Sequence, residues 1–342
     1  MQVLTVRNVE DAFLQGMNLL QEDHNIEITR NGQAYVCPEP VTTIFTEPTE
    51  RVIFWEERDA NPFFHFMEGL WMLAGRNDLK SMEFYNKRMR EYSDDGEILW
   101  GAYGWRWREY FNKDQLQIII DRLNKNKSDR RCVLQMWDAV EDLNRNGVDV
   151  PCNTHIYFLV RHCEQMGYPV LEMTVCNRSN DIIWGAYGAN AVHLSMLQEY
   201  VASAIGVKVG KYRQISNNYH AYKKIYDEIY EEMMKRDAFD FYTTKYLLSK
   251  NPYTIEEVEP YQMVNTDYKK WTSDLHSFID RKPFTDMSPD TDPFFLEVAC
   301  PIQDAWYLSK EVSKEEALLE IQYCKATDWA KACFEWLTAR VK

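Results

Sequence analysis

Asp149-Val150-Pro151-Cys152-Asn153-Thr154-His155 and Cys176-Asn177-Arg178-Ser179-Asn180-Asp181 are the two stretches that decide the reading. The first places a cysteine after a proline and before an apolar, strand-like run, 154–161. Proline stiffens the backbone, so Cys152 sits on a fixed corner, and a thiolate there can attack an electrophilic carbon when cations stand near. The second stretch ends another strand-like run, 169–176, in a polar cluster, and a glycine-containing loop then leads to a helix at Asn190. Arg178 and Ser179 suit an anion, and Asn190 suits either a helix cap or the amide edge of a ring. Singly, each also fits a bland role: a buried cysteine, a polar loop, a cap.

Working outward, 154–161 and 169–176 are joined by a polar, glycine-containing turn, the pattern of a hairpin. A third strand-like run lies at 131–137, behind the pair Arg130-Arg131, whose guanidinium forks match an oxyanion as well as they match solvent. Residues 61–75 predict an apolar helix, with Asn61 as its cap, Pro62 in its first turn and Gly75 at its end. Glu68 falls in the middle of that helix among Phe64, Met67, Leu70 and Trp71, which suits a general acid or base, or else a polar stripe. Helical spacing recurs at 8–23, 190–206 and 219–235, although His220 and Tyr222 share a face only if that last stretch begins extended. Ser313 and Glu316 have capping-box spacing, which predicts one amphipathic helix carrying Leu319, Tyr323 and Trp336 over 313–340. The stretch 236–300 is the least regular. Strands and helices without strict alternation predict an α+β fold, with 1–342 as one domain.

Composition narrows the function. With 45% hydrophobic and 27% charged residues, the 342-residue chain is not a disordered or fibrous one. A net charge of −14 repels nucleic acid and anionic membranes, leaving room for a small phosphate in a local arginine cluster. No apolar run spans a bilayer, and Arg7, Glu10 and Asp11 stand where a signal peptide needs an apolar core, so a cytoplasmic location is expected. None of the eight cysteines has zinc-like spacing, so no metal is expected.

Order and spacing of these motifs resemble thymidylate synthase and its relatives, the deoxypyrimidine-monophosphate hydroxymethylases, over about residues 25–225, with 236–342 divergent. The resemblance implies a thymidylate synthase-like fold: a large mixed β-sheet flanked by helices, here with an extra C-terminal helix, and two sheets packed back to back in an obligate homodimer. It implies that Cys152 is the nucleophile toward C6 of the pyrimidine, with Arg178 near the thiol. Arg178, Ser179 and Arg30 become phosphate ligands, and Arg130 and Arg131 reach the neighbouring subunit's phosphate. Asp181 holds the pterin of 5,10-methylenetetrahydrofolate. Glu68 and Tyr103, in Ala-Tyr-Gly-Trp-Arg-Trp, serve proton transfer, and His220 and Tyr222 hold the deoxyribose hydroxyl. The arginines are expected to depress the thiol pKa.

Within the family, asparagine at the position of Asn190 implies uracil and aspartate implies cytosine. Reaching Asn190 needs one inserted residue in Gly185–Ala189; without it Ala189 takes the place and the base is open. Hydride transfer yields a methyl group, whereas water yields a hydroxymethyl group. Methylation of dUMP is placed first, as the family's default. Three departures favour hydroxymethylation of dUMP or dCMP: Asn153 where synthases usually carry histidine, a rebuilt stretch from Arg30 to Glu47, and a charged helix where synthases end in a short apolar tail. A non-catalytic nucleotide-binding relative is the reading from another class, and it has no use for Glu68 or the thiol.

Overall fold

Alternation of buried and accessible residues along 155–158 and 171–177 builds the centre of the fold. The computed structural model describes residues 1–163, 167–236 and 251–341. The turn expected between the two central strands and part of the irregular stretch, 164–166 and 237–250, lie outside the described residues.

Ten strands are described: β1 (Gln2–Val6), β2 (Asn25–Thr29), β3 (Gly32–Val36), β4 (Val41–Phe45), β5 (Val133–Gln135), β6 (Asn153–Cys163), β7 (Tyr168–Asn177), β8 (Asn180–Asp181), β9 (Lys208–Ser216) and β10 (Tyr219–Tyr222). Six form a mixed sheet in the order β1-β4-β9-β7-β6-β5, and four a smaller sheet in the order β2-β3-β10-β8. β6 and β7 are antiparallel, and their register slips between Asn153 and His155, one residue past Cys152. Such a bulge re-aims the chain at a strand end. Ile156, Phe158, Leu171, Met173 and Val175 are buried on one face of the large sheet. On the other, Val133, Tyr157, Thr174 and Arg213 are cross-strand neighbours and remain accessible.

The helices are α1 (Val9–Glu22), α2 (Pro62–Leu73), α3 (Leu79–Tyr85), α4 (Tyr103–Arg108), α5 (Gln115–Lys125), α6 (Asn190–Ala204), α7 (Lys223–Arg236), α8 (Tyr268–Ile279), α9 (Cys300–Glu311), α10 (Lys314–Glu320) and α11 (Thr327–Thr338). α2 begins as its sequence predicts: Asn61 accepts from Phe64 N–H at 3.2 Å, and Pro62 opens the helix. α4 crosses α2 so closely that a Cβ on Gly104 would lie 1.9 Å from the Met72 carbonyl oxygen.

Two expectations change. The stretch 219–222 is strand, so His220 and Tyr222 do share a face. The C-terminal region is two helices, not one: Ser313 caps α10, but the chain turns at Ile321–Tyr323 and restarts as α11. Lys325 N–H donates to Glu297 O there, and Ala326 is fully buried, so tertiary contacts override the helical pattern. Leu319 and Tyr323 are exposed, while Trp336 packs on Phe63 and Trp306.

Candidate active site

β6, β7, β8 and β10 meet at an open cleft of about 510 Å³. Its wall includes Arg30, Trp137, Arg145, Cys152, Arg178, Ser179, Asp181, His220 and Tyr222. The two deciding stretches lie side by side because Arg178 N–H donates to Cys152 O at 2.9 Å. Arg178 also donates to the carbonyls of Pro151 and Val150, each at 3.0 Å, and its Nη2 lies 3.9 Å from Cys152 Sγ. The guanidinium is thus clamped by the loop that carries the thiol.

Arg30 sits in the turn between β2 and β3, which Gly32 closes at φ +106°. It donates to Val148 O at 3.1 Å, and its neighbour Asn31 donates to the Tyr222 hydroxyl at 3.0 Å. The rebuilt N-terminal hairpin therefore reaches across to β10. Tyr103, at the start of α4, is adjacent to Cys152 and Asn153. Burial pushes its hydroxyl pKa far up, so it is a protonated phenol at neutral pH.

The expected depression of the thiol does not occur in this cleft. Burial pushes the Cys152 pKa above its usual value, and Asp149 adds to this, while Arg178 and Arg30 oppose it without overcoming it. Asp149 is itself pushed up to about 6 by burial, although it accepts a hydrogen bond from Gly101 N–H at 2.7 Å.

Asp181 pairs with His220 across the β8–β10 register. One carboxylate oxygen accepts from the N–H groups of Ile183 and Trp184 at 2.7 and 2.8 Å; the other is buried without a partner. Burial raises its pKa, with His220 and Arg58 opposing. A buried, unpaired acceptor beside the cleft fits the N–H-rich edge of a pterin. Trp184 beside it is partly exposed and carries the Arg58 guanidinium 4.4 Å above its ring.

The loop before Asn190 is a wide, π-type turn over Ile182–Ala189, kinked at Gly188. Turns of this kind hold more residues than an α-helical turn. Asn190 opens α6 as a buried residue, and its amide does not cap the helix but donates to Asn180 Oδ1 at 3.1 Å. Glu68 on α2 faces His193 on α6, three residues after Asn190, with Oε2 3.1 Å from Nε2.

Arg130 and Arg131 do not line the cleft of their own chain. Both are exposed, and Arg131 is held by Asp129 at 3.1 and 3.2 Å. The structure adds residues that sequence reasoning missed. Asn180 lay inside a quoted motif, but only the fold shows its partners. Arg58 and His193 had no local signal beyond a charged or polar side chain among apolar ones. No helix among the described residues is long and apolar enough to cross a membrane.

The cleft thus brings together a thiol, a clamped arginine and an unpaired carboxylate, and the comparisons assign the chain to a class of one-carbon transferases. A family model described as thymidylate synthase matches residues 58–276, so the chain belongs to the thymidylate synthase family. Enzymes of this family are transferases that take their one-carbon unit from 5,10-methylenetetrahydrofolate. Among named relatives, the deoxyuridylate hydroxymethyltransferase of Pseudomonas phage M6 is 45% identical over 344 residues, covering 99% of this chain and 95% of that protein. The enzyme of the same name from Bacillus phage SP01 is 35% identical over 57% of this chain and 53% of its own length. The thymidylate synthase of Streptococcus gordonii is 30% identical over 51% of this chain and 61% of its own length.

Proposed function

We propose that this protein converts dUMP to 5-hydroxymethyl-dUMP, in a single domain spanning 1–342. The observation that carries the reading is the near full-length likeness to the M6 deoxyuridylate hydroxymethyltransferase, which takes in the C-terminal region beyond the family match. Cys152 adds to C6 of the pyrimidine, making C5 nucleophilic. Arg178, Ser179 and Arg30 hold the phosphate, whose charge they meet with guanidinium and hydroxyl donors. Nucleotide binding also brings Arg130 and Arg131 from the neighbouring subunit, and the added cations favour the thiolate that burial disfavours in the free cleft. His220 and Tyr222 hold the deoxyribose hydroxyl, and Asn190 reads the ring edge.

Asp181 holds 5,10-methylenetetrahydrofolate, which supplies the one-carbon unit when bound. Glu68 and Tyr103 place water and move the proton lost from C5. C5 bonds to the donated carbon, and loss of the C5 proton then breaks the bond from that carbon to the folate nitrogen, leaving an exocyclic methylene on C5. Water adds to the methylene carbon and its proton goes to solvent through Glu68. The electron pair pushed onto the ring then expels Cys152 from C6 and restores the C5–C6 double bond. No hydride moves, so the folate leaves at the tetrahydro level.

Thymidylate synthase-type methylation to dTMP is the second reading, favoured by the shared Cys152, Arg178 and Asp181 framework. The accessible row Val133, Tyr157, Thr174 and Arg213 supports a homodimer through the open face of the large sheet. The enzyme acts in the cytoplasm, where its folate and nucleotide substrates are found. Incubation with dUMP or dCMP and methylenetetrahydrofolate, followed by mass spectrometry of the nucleotide, tests the proposal. A hydroxymethyl product with no dihydrofolate absorbance is expected; a methyl product with dihydrofolate would replace it by the second reading.

A further inference from the structure

An asparagine side chain is nearly symmetric. It offers a donor beside an acceptor, and a half-turn exchanges them. Uracil presents an acceptor, O4, beside a donor, N3–H; cytosine presents a donor, the 4-amino group, beside an acceptor, N3. An asparagine free to turn therefore fits either base. Selectivity requires something that fixes which way Asn190 points.

The structure holds such a device. Gln214 Nε2 donates to the backbone carbonyl of Ala186 at 3.2 Å, and a carbonyl can only accept. That fixes Gln214 with its oxygen turned toward Asn180. Asn180 Nδ2 donates to this oxygen and, at 2.9 Å, to Ser216 Oγ. Asn180 Oδ1 is thereby left facing Asn190, whose Nδ2 donates to it at 3.1 Å. Asn180, Asn190, Gln214 and Ser216 are all buried, so an inverted link would leave like atoms facing one another away from water. The direction of every amide in the chain follows from one carbonyl in the wide turn.

We propose that Asn180 and Gln214 are the residues that restrict the site to uracil, by locking the Asn190 amide in one orientation. They are positioning residues and touch no substrate. The inference rests on Asn190 being the base-reading group, as proposed above.

The test uses the full-length enzyme and measures kcat/KM and equilibrium binding for dUMP and for dCMP, with thermal melts to match folding. Asn180→Leu removes the lock and is expected to narrow the dUMP preference by about ten-fold or more, mostly through KM and Kd. Asn180→Asp keeps an acceptor toward Asn190, but its second oxygen can meet Gln214 Oε1 only as a protonated donor. The preference is expected to hold at acidic pH and to narrow as the carboxyl ionises, a pH dependence that a role in packing alone does not predict. Gln214→Met cuts the anchor one link earlier and serves if Asn180→Leu does not fold. The lock is overturned if Asn190→Ala destroys the preference while Asn180→Leu, or Gln214→Met in its place, leaves it intact. If Asn190→Ala leaves the preference unchanged, the reading of Asn190 falls, and the lock with it.

Discussion

Glu68 Oε2 lies 3.1 Å from His193 Nε2, and both side chains are buried between α2 and α6. The acid proposed to handle water therefore faces the helix whose first residue is proposed to read the base. Glu68→Gln is expected to lower kcat by about 10²–10⁴ while dUMP binding persists, because general acid–base work is lost and the shape is kept. His193→Leu leaves the carboxylate with an apolar neighbour and is expected to lower kcat with little change in KM for dUMP. Steady-state kinetics on both variants checks this, and equal loss in KM alone would refute it.

Cys152→Ser is expected to abolish turnover and retain nucleotide binding, measured by fluorescence titration. In the free enzyme the thiol pKa lies above its usual value, so the thiolate fraction is small at neutral pH and grows as pH rises. Alkylation by iodoacetamide should therefore accelerate steadily into the alkaline range. Arg178→Ala removes a cation that opposes this shift, so it should slow alkylation at any given pH.

Asp328 controls a pH dependence far from the cleft. Burial raises its pKa to about 7, and it accepts from the Tyr253 hydroxyl at 3.0 Å. Between its unfolded value near 4 and about 7, the folded state holds a proton that the unfolded state has lost. Stability is thus complete below that interval and falls on raising pH through it, by up to about 1.4 kcal/mol per unit. Asp328→Asn should flatten this slope in thermal melts taken from pH 4 to pH 8, and an unchanged slope would exclude Asp328 as its source.

Hybrid dimers test the sharing of arginines. A Cys152→Ser subunit paired with an Arg130→Ala/Arg131→Ala subunit has one complete site only if the arginines act in the neighbour's cleft. Mixing two inactive homodimers after reversible dissociation should restore about a quarter of wild-type activity by random assortment. No recovery, with mixed dimers confirmed by mass, would place these arginines elsewhere.

Gly104→Ala should be strongly destabilising, because its Cβ would collide with the Met72 backbone. Overpacking of this kind costs about 1–3 kcal/mol or more, read as a lower denaturant midpoint.

Much of this was legible in sequence where the cause is local. Asn61, Pro62 and Gly75 bound α2 because caps and φ preferences act within a turn. The link between Cys152 and Arg178 spans 26 residues and was visible only through the order of motifs. Burial of the thiol was not visible, so the arginines alone predicted the wrong direction for its pKa. The break between α10 and α11 depends on a backbone contact with Glu297, which no pattern in 313–340 announces. His193 and Gln214 gain meaning only from partners on other elements.

The wide turn at Ile182–Ala189 sets a conflict between heat resistance and fidelity. Deleting one of its residues would let the segment continue as regular helix into α6, which the usual rules of stabilisation favour. The same deletion would carry the Ala186 carbonyl away from Gln214 and release the chain that ends at Asn190. A variant selected only for a higher melting temperature is thus prone to lose its discrimination between bases, and one selected for discrimination must keep an irregular helix at its heart.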